Sequence, residues 1–283
     1  MTTAGQSAAV QNWKLTLAYD GTDFRGWQVQ PGEATVQGEL QGALGRIAGE
    51  WPLPQGSGRT DAGVHALAQV ASFALAAPIP AENLMRALNR TLPLSIRVLE
   101  ARPAPGRFHA RHSALAKTYE YRIFRGELCP PFLGRYVYAW AGRLDVEALA
   151  AAAQVFVGEH DFTSFAASDP DLGQRETGVE SGPAQDLGAT AQTQPKDAVR
   201  TIFTSAWEQR GGELLVYRVR GDGFLHHMVR NLVGTMLDAG RGYLPVAEIP
   251  AILAARRRAA AGPTAPARGL FLHSVEYGGA DQV

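Results

Sequence analysis

Gly56-Ser57-Gly58-Arg59-Thr60-Asp61-Ala62-Gly63-Val64-His65 is the most informative stretch of the chain. It has almost no apolar surface to bury, and its polar groups would be costly to bury without partners. Its three glycines permit tight backbone geometry. The stretch therefore predicts a loop that carries chemistry, with Asp61 at its centre.

Composition indicates an ordinary globular protein. The chain has 283 residues, of which 46% are hydrophobic and 19% charged, and this length suits one large domain or two smaller ones. The single cysteine, Cys129, excludes an internal disulfide and fits a reducing cytoplasm. We expect no signal peptide, because residues 1–11 are small and polar, and no membrane partner, because no apolar run could span a bilayer.

Charge is distributed unevenly along the chain. The net charge is zero, with 27 basic and 27 acidic residues, which taken globally argues against a nucleic-acid binder. From Arg86 to Arg143, however, eleven Lys or Arg face only three Glu, whereas residues 168–198 are mainly acidic. A basic middle segment could track a polyanion. The counts favour a solvated mixed-charge surface at least as much.

Hydrophobic spacing predicts alternating strands and helices in the first half. Residues 13–20 alternate as a half-buried strand, and Thr35 is placed to cap a helix that follows. After the polar loop we expect a strand over 68–75, a helix over 82–90 and a strand over 95–100. This order suggests a split β-α-β unit.

The second half repeats the theme. The strand over 117–124 should place Tyr119 on an apolar face. The other expected elements are a strand over 135–140, a helix capped by Asp145, a hairpin turning at Gly211-Gly212, helices over 224–239 and 246–258, and a strand over 270–277.

These elements predict an α+β fold. Its two ferredoxin-like, split β-α-β halves would combine their antiparallel sheets around a central catalytic cleft. We expect a flexible N-terminus over 1–12, an N-terminal half over 13–112 that carries the catalytic loop, and a C-terminal half over 113–283. The polar residues 168–198 are expected to form a mobile insertion.

Three familiar chemistries fit the loop poorly. It lacks the Gly-Lys-Ser/Thr ending of a phosphate loop and the Gly-x-Ser-x-Gly elbow of a serine nucleophile. Its glycines make it unlikely to be the helix that Asp61 and His65 would need to share a metal. His226 and His227 are adjacent on a predicted helix, so they would diverge by about 100° and not chelate easily together. What remains is a carboxylate flanked by Arg59 and Thr60, although a lone Asp in a loop is most often a turn former.

Five ordered blocks then resemble one family. Gly58–His65 resembles the signature of the TruA family of tRNA pseudouridine synthases, and the similarity runs from about Trp13 to Tyr277. The other four blocks are Tyr19-Asp20-Gly21 with Phe24, Gly26, Trp27 and Gln28; Phe108-His109-Ala110-Arg111 with Lys117-Thr118-Tyr119; Phe224-Leu225-His226-His227-Met228-Val229-Arg230-Asn231; and Gly269-Leu270.

The resemblance implies a role for several residues. Asp61 would be the catalytic carboxylate, attacking C6 of the base or C1′ of the sugar or stabilising a glycal-forming path, and Arg230 would pair with it. Tyr119 would stack on the flipped uracil and help remove the C5 proton. The remaining implied substrate-binding residues are Arg59, Leu270, Arg111 and His226. Without the resemblance, Tyr119 and Leu270 would be read as core residues, and Arg59 and Arg230 as surface charges.

The function so implied is isomerisation of uridine to pseudouridine in the tRNA anticodon arm, at positions 38, 39 and 40, by a homodimer without metal or cofactor. The first alternative is a non-catalytic RNA-binding module that uses the basic segment. The second is a nucleoside hydrolase-like or phosphate-loop enzyme that acts on small molecules.

Overall fold

The structure is a computed structural model that describes residues 10–167 and 198–279. The chain forms two compact units, each built from separate stretches of sequence. The first contains the described residues of Met1–Gly142, Phe203–Asp222 and Pro266–Val283, and the second those of Arg143–Ile202 and Gly223–Ala265. The division into halves at residue 112 stays a prediction.

The described residues contain both strands and helices. The strands are β1 Gln11–Tyr19, β2 Gln55–Gly56, β3 His65–Leu75, β4 Ile96–Ala104, β5 Ala114–Phe124, β6 Tyr138–Ala139, β7 Gly158–Asp161, β8 Val199–Arg210, β9 Leu214–Gly221 and β10 Leu270–Tyr277. The α-helices are α1 Val36–Ala48, α2 Ala81–Thr91, α3 Val146–Val155, α4 Met228–Gly240 and α5 Ile249–Ala255.

The first unit is organised around a mixed sheet. Its strands lie in the order β4-β1-β3-β10-β5-β9-β8, with Phe203–Arg210 as the share of β8. Most neighbours are antiparallel, but β10 runs parallel to β3 through the pairs Phe271–His65 and Leu272–Ala66. The predicted α+β class is confirmed.

Strand β1 lies inside this sheet, between β4 and β3. Its alternating apolar side chains are buried as predicted, and so is Lys14, which the alternation would place on the solvent side. The Lys14 ammonium lies 3.9 Å from the centre of the Tyr277 ring and 5.0 Å from that of Phe108. Two aromatic rings therefore take the place of solvent around this cation.

The predicted helix caps are confirmed in both units. In the first, the Thr35 hydroxyl accepts a hydrogen bond from Gly38 N at 3.2 Å, at the start of α1. In the second, the Asp145 carboxylate accepts one from Ala148 N at 3.0 Å, at the start of α3. Each side chain satisfies an amide that the helix itself leaves without a partner.

The second unit packs α3 against α4. The close approach is made at Gly240, where an added Cβ would lie 2.9 Å from the side chain of Leu149. Strand β7 pairs antiparallel with the first residues of β8, from Gly158 opposite Ile202 to Asp161 opposite Val199.

Three predicted elements are wrong in extent. Over residues 135–140 only β6 is a strand, because Tyr136 N closes a turn onto Leu133 O at 2.8 Å. The helix expected over 246–258 is a 3-10 turn followed by the short α5, which ends where Arg256 adopts a φ of +47°. The helix expected from Phe224 begins only at Met228.

Some predictions fall outside the described residues. The insertion over 168–198 does so except for Ala198, and the N-terminal segment does so up to residue 9. Strand β1 includes Gln11 and Asn12, the last two residues of that segment. Within the described parts of the chain, no helix combines the length and apolar character needed to cross a membrane.

Candidate active site

The loop over residues 57–64, between β2 and β3, is held along its backbone. Ser57 N donates to Val70 O at 2.8 Å, which ties the start of the loop to β3. Further along, Trp27 N donates to Thr60 O at 2.9 Å, from the segment that follows β1. The loop is thus fixed from two different parts of the first unit.

Burial alternates within the loop. Ser57 and Thr60 are buried, with 0% and 6% of their surface exposed, while Arg59 and Asp61 are only half-buried. Buried Ser57 precedes Arg59, and buried Thr60 separates Arg59 from Asp61, so both of the residues to which the sequence assigns chemistry adjoin an anchored part of the loop.

A tight turn follows Asp61. Val64 N donates to Asp61 O at 3.1 Å, and the third residue of the turn, Gly63, has a φ of +75°. Such a φ is readily available only to glycine. The turn fixes the backbone of Asp61 from its C-terminal side.

The segment after β1 braces the same loop. A Cβ added at Gly21 would overlap the carbonyl oxygen of Val64, and one added at Gly26 would lie 2.6 Å from Thr60 O. Both glycines stand where two backbones touch. These contacts tie the segment over residues 21–26 to the loop.

His65 supports the loop from its C-terminal end. Its Nδ1 accepts a hydrogen bond from Gly21 N and its Nε2 donates to Arg135 O, each at 3.1 Å, while its ring stacks on Phe271 at 4.7 Å. Although Asp20 lies 3.2 Å from Nδ1, that nitrogen already accepts an amide hydrogen, so the ring is neutral. Burial lowers the pKa of His65 despite the Asp20 charge. His65 is therefore a supporting residue.

Tyr119 lies beside the loop, and its role towards the base stays a prediction. It is 7% exposed, and its hydroxyl lies 3.9 Å from the position that a Cβ on Gly58 would occupy. Burial, the nearby Tyr19 phenol and the Asp61 carboxylate all raise the pKa of the Tyr119 phenol. The Asp61 carboxylate is therefore near enough to Tyr119 for its charge to influence the phenol.

Lys117 belongs to the same group, and the sequence did not single it out as a site residue. Its Nζ lies 3.3 Å from the same position at Gly58. Lys117 and Tyr119 are two residues apart on β5, so they share one face of the strand. This spacing of two residues from Tyr119 is the sequence feature that could have identified Lys117 as a site residue.

Leu270 lies next to the turn that holds Asp61. Leu270 is 5% exposed and is the first residue of β10. The next residue, Phe271, pairs with His65 at the start of β3. Just upstream, the Ala267 methyl lies 3.4 Å from the position of a Cβ on Gly63.

Arg111 lies apart from this group. Its neighbour Ala110 donates from its N to Ser72 Oγ at 3.0 Å. Ser72 is seven residues along β3 from His65, about 23 Å at the usual strand rise. The exposed Arg111 is therefore held towards the other end of the strand.

Arg230 and His226 belong to the second unit. Arg230 is in the first turn of α4, and its Nε donates to Ala265 O at 2.7 Å. His226 precedes the helix, and the centre of its ring lies 4.0 Å from that of His227. The backbone of His227 has a φ of +60°, so this residue is not helical either. The two rings are therefore not spread apart by a helix, and the predicted divergence by about 100° is wrong. The roles of Arg230 and His226 towards Asp61 stay predictions.

Half-buried Asp61 lies on a braced loop whose Gly58 adjoins a buried tyrosine and a lysine, and such a group of reactive side chains is a candidate enzyme active site. The family model described as tRNA pseudouridine synthase matches residues 16–113 and 184–278. Three relatives, each named tRNA pseudouridine synthase A, are similar over 93% of this chain. They come from Solibacter usitatus (51% identical, 98% of the relative covered), Moorella thermoacetica (45%, 98%) and Bordetella petrii (43%, 90%). The chain belongs to the tRNA pseudouridine synthase family, whose members are isomerases that convert uridine in tRNA.

Proposed function

We propose that this protein converts uridine to pseudouridine in the tRNA anticodon arm, at positions 38, 39 and 40, with Asp61 as the catalytic carboxylate. The observation that carries the proposal is the braced loop that holds half-buried Asp61 and that Lys117 and Tyr119 approach at Gly58. The family membership favours this enzyme over a non-catalytic RNA-binding module and over an enzyme of small nucleotides.

The reaction leaves the atomic composition of the nucleotide unchanged. The N1–C1′ bond breaks, the uracil turns while it stays bound, and a C5–C1′ bond forms. The proton on C5 then leaves, and N1 carries one in the product. Asp61 would attack C6 or C1′, or stabilise a glycal-forming path, and no cofactor is needed for any of these.

The target base must leave the RNA stack to reach Asp61. Arg59, on the same loop, would fill the vacated space or grip the backbone. Arg230 would pair with Asp61, because an adjacent cation keeps a half-buried carboxylate ionised and nucleophilic near neutral pH.

Tyr119 and Leu270 would hold the flipped base from its two sides. The raised pKa of Tyr119 favours a neutral phenol. A neutral phenol can stack on uracil and form hydrogen bonds, and it can take the C5 proton only if it gives up its own in the same step.

Two further residues would bind the tRNA. Arg111 would bind its backbone away from the reacting base, and His226 would also contact the substrate. The protein would act as a homodimer in the cytoplasm, with each tRNA touching both subunits.

The test is Asp61→Asn, assayed with tRNA that carries tritium on C5 of uridine, so that each turnover releases tritium to water. We expect the single-turnover rate to fall at least about a thousandfold, while tRNA binding is retained. Asp23→Asn is the control, because Asp23 is an exposed carboxylate paired with Arg135 and should leave the rate unchanged.

An active Asp61→Asn enzyme would contradict the catalytic assignment. Replacing each uridine of the anticodon arm separately tests the positions, and tritium release from outside the arm would contradict them. Turnover of free nucleotides would support the small-molecule enzyme instead.

A further inference from the structure

Gln69 lies fully buried on β3 beneath the loop over 57–64. Its side chain is 0% exposed, and Leu17 on β1 is the residue opposite it in the sheet. A buried carboxamide needs partners at both ends, since leaving either end unsatisfied would be destabilising. Two of the partners of Gln69, Ser57 and Gly58, are loop residues.

The backbone fixes which way the carboxamide points. Gln69 Nε2 donates to Gly58 O at 2.8 Å, and its Oε1 accepts from Val70 N at 3.1 Å. A carbonyl can only accept and an amide N–H can only donate, so the opposite orientation of the side chain would oppose like groups at both ends.

Two further bonds extend the hold of Gln69 on the loop. Ser57 Oγ donates to Gln69 Oε1 at 2.6 Å. At 3.5 Å from Nε2, the Tyr19 hydroxyl is also within reach, and it pairs with Thr60 Oγ1 at 2.8 Å. The network therefore touches Ser57, Gly58 and Thr60, on both sides of Arg59 and immediately before Asp61.

We propose that Gln69 is a positioning residue for the reaction, which sets the place of Asp61 by fixing the loop backbone at Gly58 and, through Tyr19, at Thr60. Gly58 is also the residue that Lys117 and Tyr119 approach, so the position of Gly58 determines the distance between the loop and both side chains. The inference rests on the proposed role of Asp61. Burial raises the pKa of Tyr19 to about 12, so the network stays neutral over the working pH range.

The experiment compares Gln69→Ala with Gln37→Ala. Gln37 is also a buried glutamine, 5% exposed, that accepts from Val29 N and donates to Pro54 O, but it does not contact residues 57–64 in these bonds. We expect both variants to unfold at lower temperature. Only Gln69→Ala should slow single-turnover tritium release, by about 10- to 100-fold, as expected for a small displacement of a reacting group. Its tRNA dissociation constant should change by less than about threefold.

Gln69→Glu supplies a readout that loss of stability alone would not produce. A protonated glutamate can still donate to Gly58 O, whereas an ionised one would place a charged oxygen against it. The rate of this variant should therefore fall as the pH rises, relative to wild type at each pH. Should Gln69→Ala fail to fold, Tyr19→Phe removes only the hydroxyl that links Gln69 to Thr60, and it should slow the reaction without weakening tRNA binding.

A folded Gln69→Ala enzyme with the wild-type rate would overturn the inference, as would equal losses of rate in Gln69→Ala and Gln37→Ala. An active Asp61→Asn enzyme would overturn the proposed function instead. The two failures are thus distinguishable in the same assay.

Discussion

His65 illustrates how a single polar residue can serve a site without reacting in it. It connects the segment after β1, the Arg135 turn and strand β10 through two hydrogen bonds and one ring stack. Its position as the last residue of the Gly-rich stretch suggested chemistry. Its 1% exposure and neutral ring instead make it a structural junction.

The lowered pKa of His65 predicts a pH-dependent stability. The unfolded side chain titrates near pH 6.5, and the folded one titrates lower, so the unfolded state binds more protons between the two values. The contribution of His65 is complete above about pH 6.5 and is lost as the pH falls through this window. We expect His65→Asn to lower the unfolding midpoint at pH 7.5, by a difference from wild type that shrinks towards pH 5.

Thermal unfolding at a series of pH values measures this difference. His160→Asn is the control, because the hydrogen bond from that ring to Val157 O is exposed. A difference between His65→Asn and wild type that stayed constant from pH 7.5 to 5 would contradict the prediction.

At the scale of elements, two turns of the same kind show how backbone geometry supports chemistry. Val64 N closes one turn onto Asp61 O, and Glu33 N closes another onto Gln30 O at 3.2 Å. The third residue is glycine in both, Gly63 and Gly32, each with a φ of +75°. Only the first turn carries a proposed catalytic residue.

This pair provides a matched test. An alanine at either position should destabilise the protein by about 1–2 kcal/mol, because L residues disfavour this φ. Space is not the limit, since nothing lies within 4 Å of a Cβ at Gly32 and the nearest atom at Gly63 is 3.4 Å away. Only Gly63→Ala should slow pseudouridine formation, by about tenfold or more, because it displaces Asp61. Equal rates for the two variants in single-turnover assays would argue against the role of this turn.

At the scale of the whole molecule, a net charge of zero does not exclude an RNA substrate. The basic residues concentrate in the middle of the chain, and Arg111 is one of them. Two hydrogen bonds anchor its turn: Ala110 N donates to Ser72, and the Tyr277 hydroxyl donates to Ala110 O at 2.7 Å. A cation on such an anchored turn can contact phosphate at little further cost in entropy.

Arg111→Ala should therefore affect binding and not the chemical step. We expect the variant to bind tRNA more weakly. A plot of the logarithm of the binding constant against the logarithm of the salt concentration should also be less steep, by the amount expected for about one lost phosphate contact. The single-turnover rate at saturating enzyme should match wild type, since Arg111 lies apart from Asp61. Arg25→Ala is the control, because Arg25 is already paired with Glu33. An unchanged slope, or a slower reaction at saturation, would refute this assignment.

Much of the local structure could be predicted. The strands β1 and β5, the caps at Thr35 and Asp145, and the hairpin at Gly211-Gly212 are confirmed. Each depends on residues within one or two turns of the chain, so spacing alone carries the signal. The strict alternation is wrong at Lys14 in β1 and at Thr118 and Glu120 in β5, because these polar residues are buried too. The start of α4 could not be predicted in this way, because the apolar spacing continues upstream of Met228 while His227 takes a left-handed conformation.

The sequence by itself determined that a polar, Gly-rich loop would hold Asp61, since such residues form no core and its motif identifies the family. Only the tertiary structure decided what surrounds that loop. The contacts of Gly58 with Lys117, of Gly21 with Val64, and of β10 with β3 join residues far apart in the chain. Periodicity reports which face of an element is buried, and it carries no information about which distant backbone will meet that face.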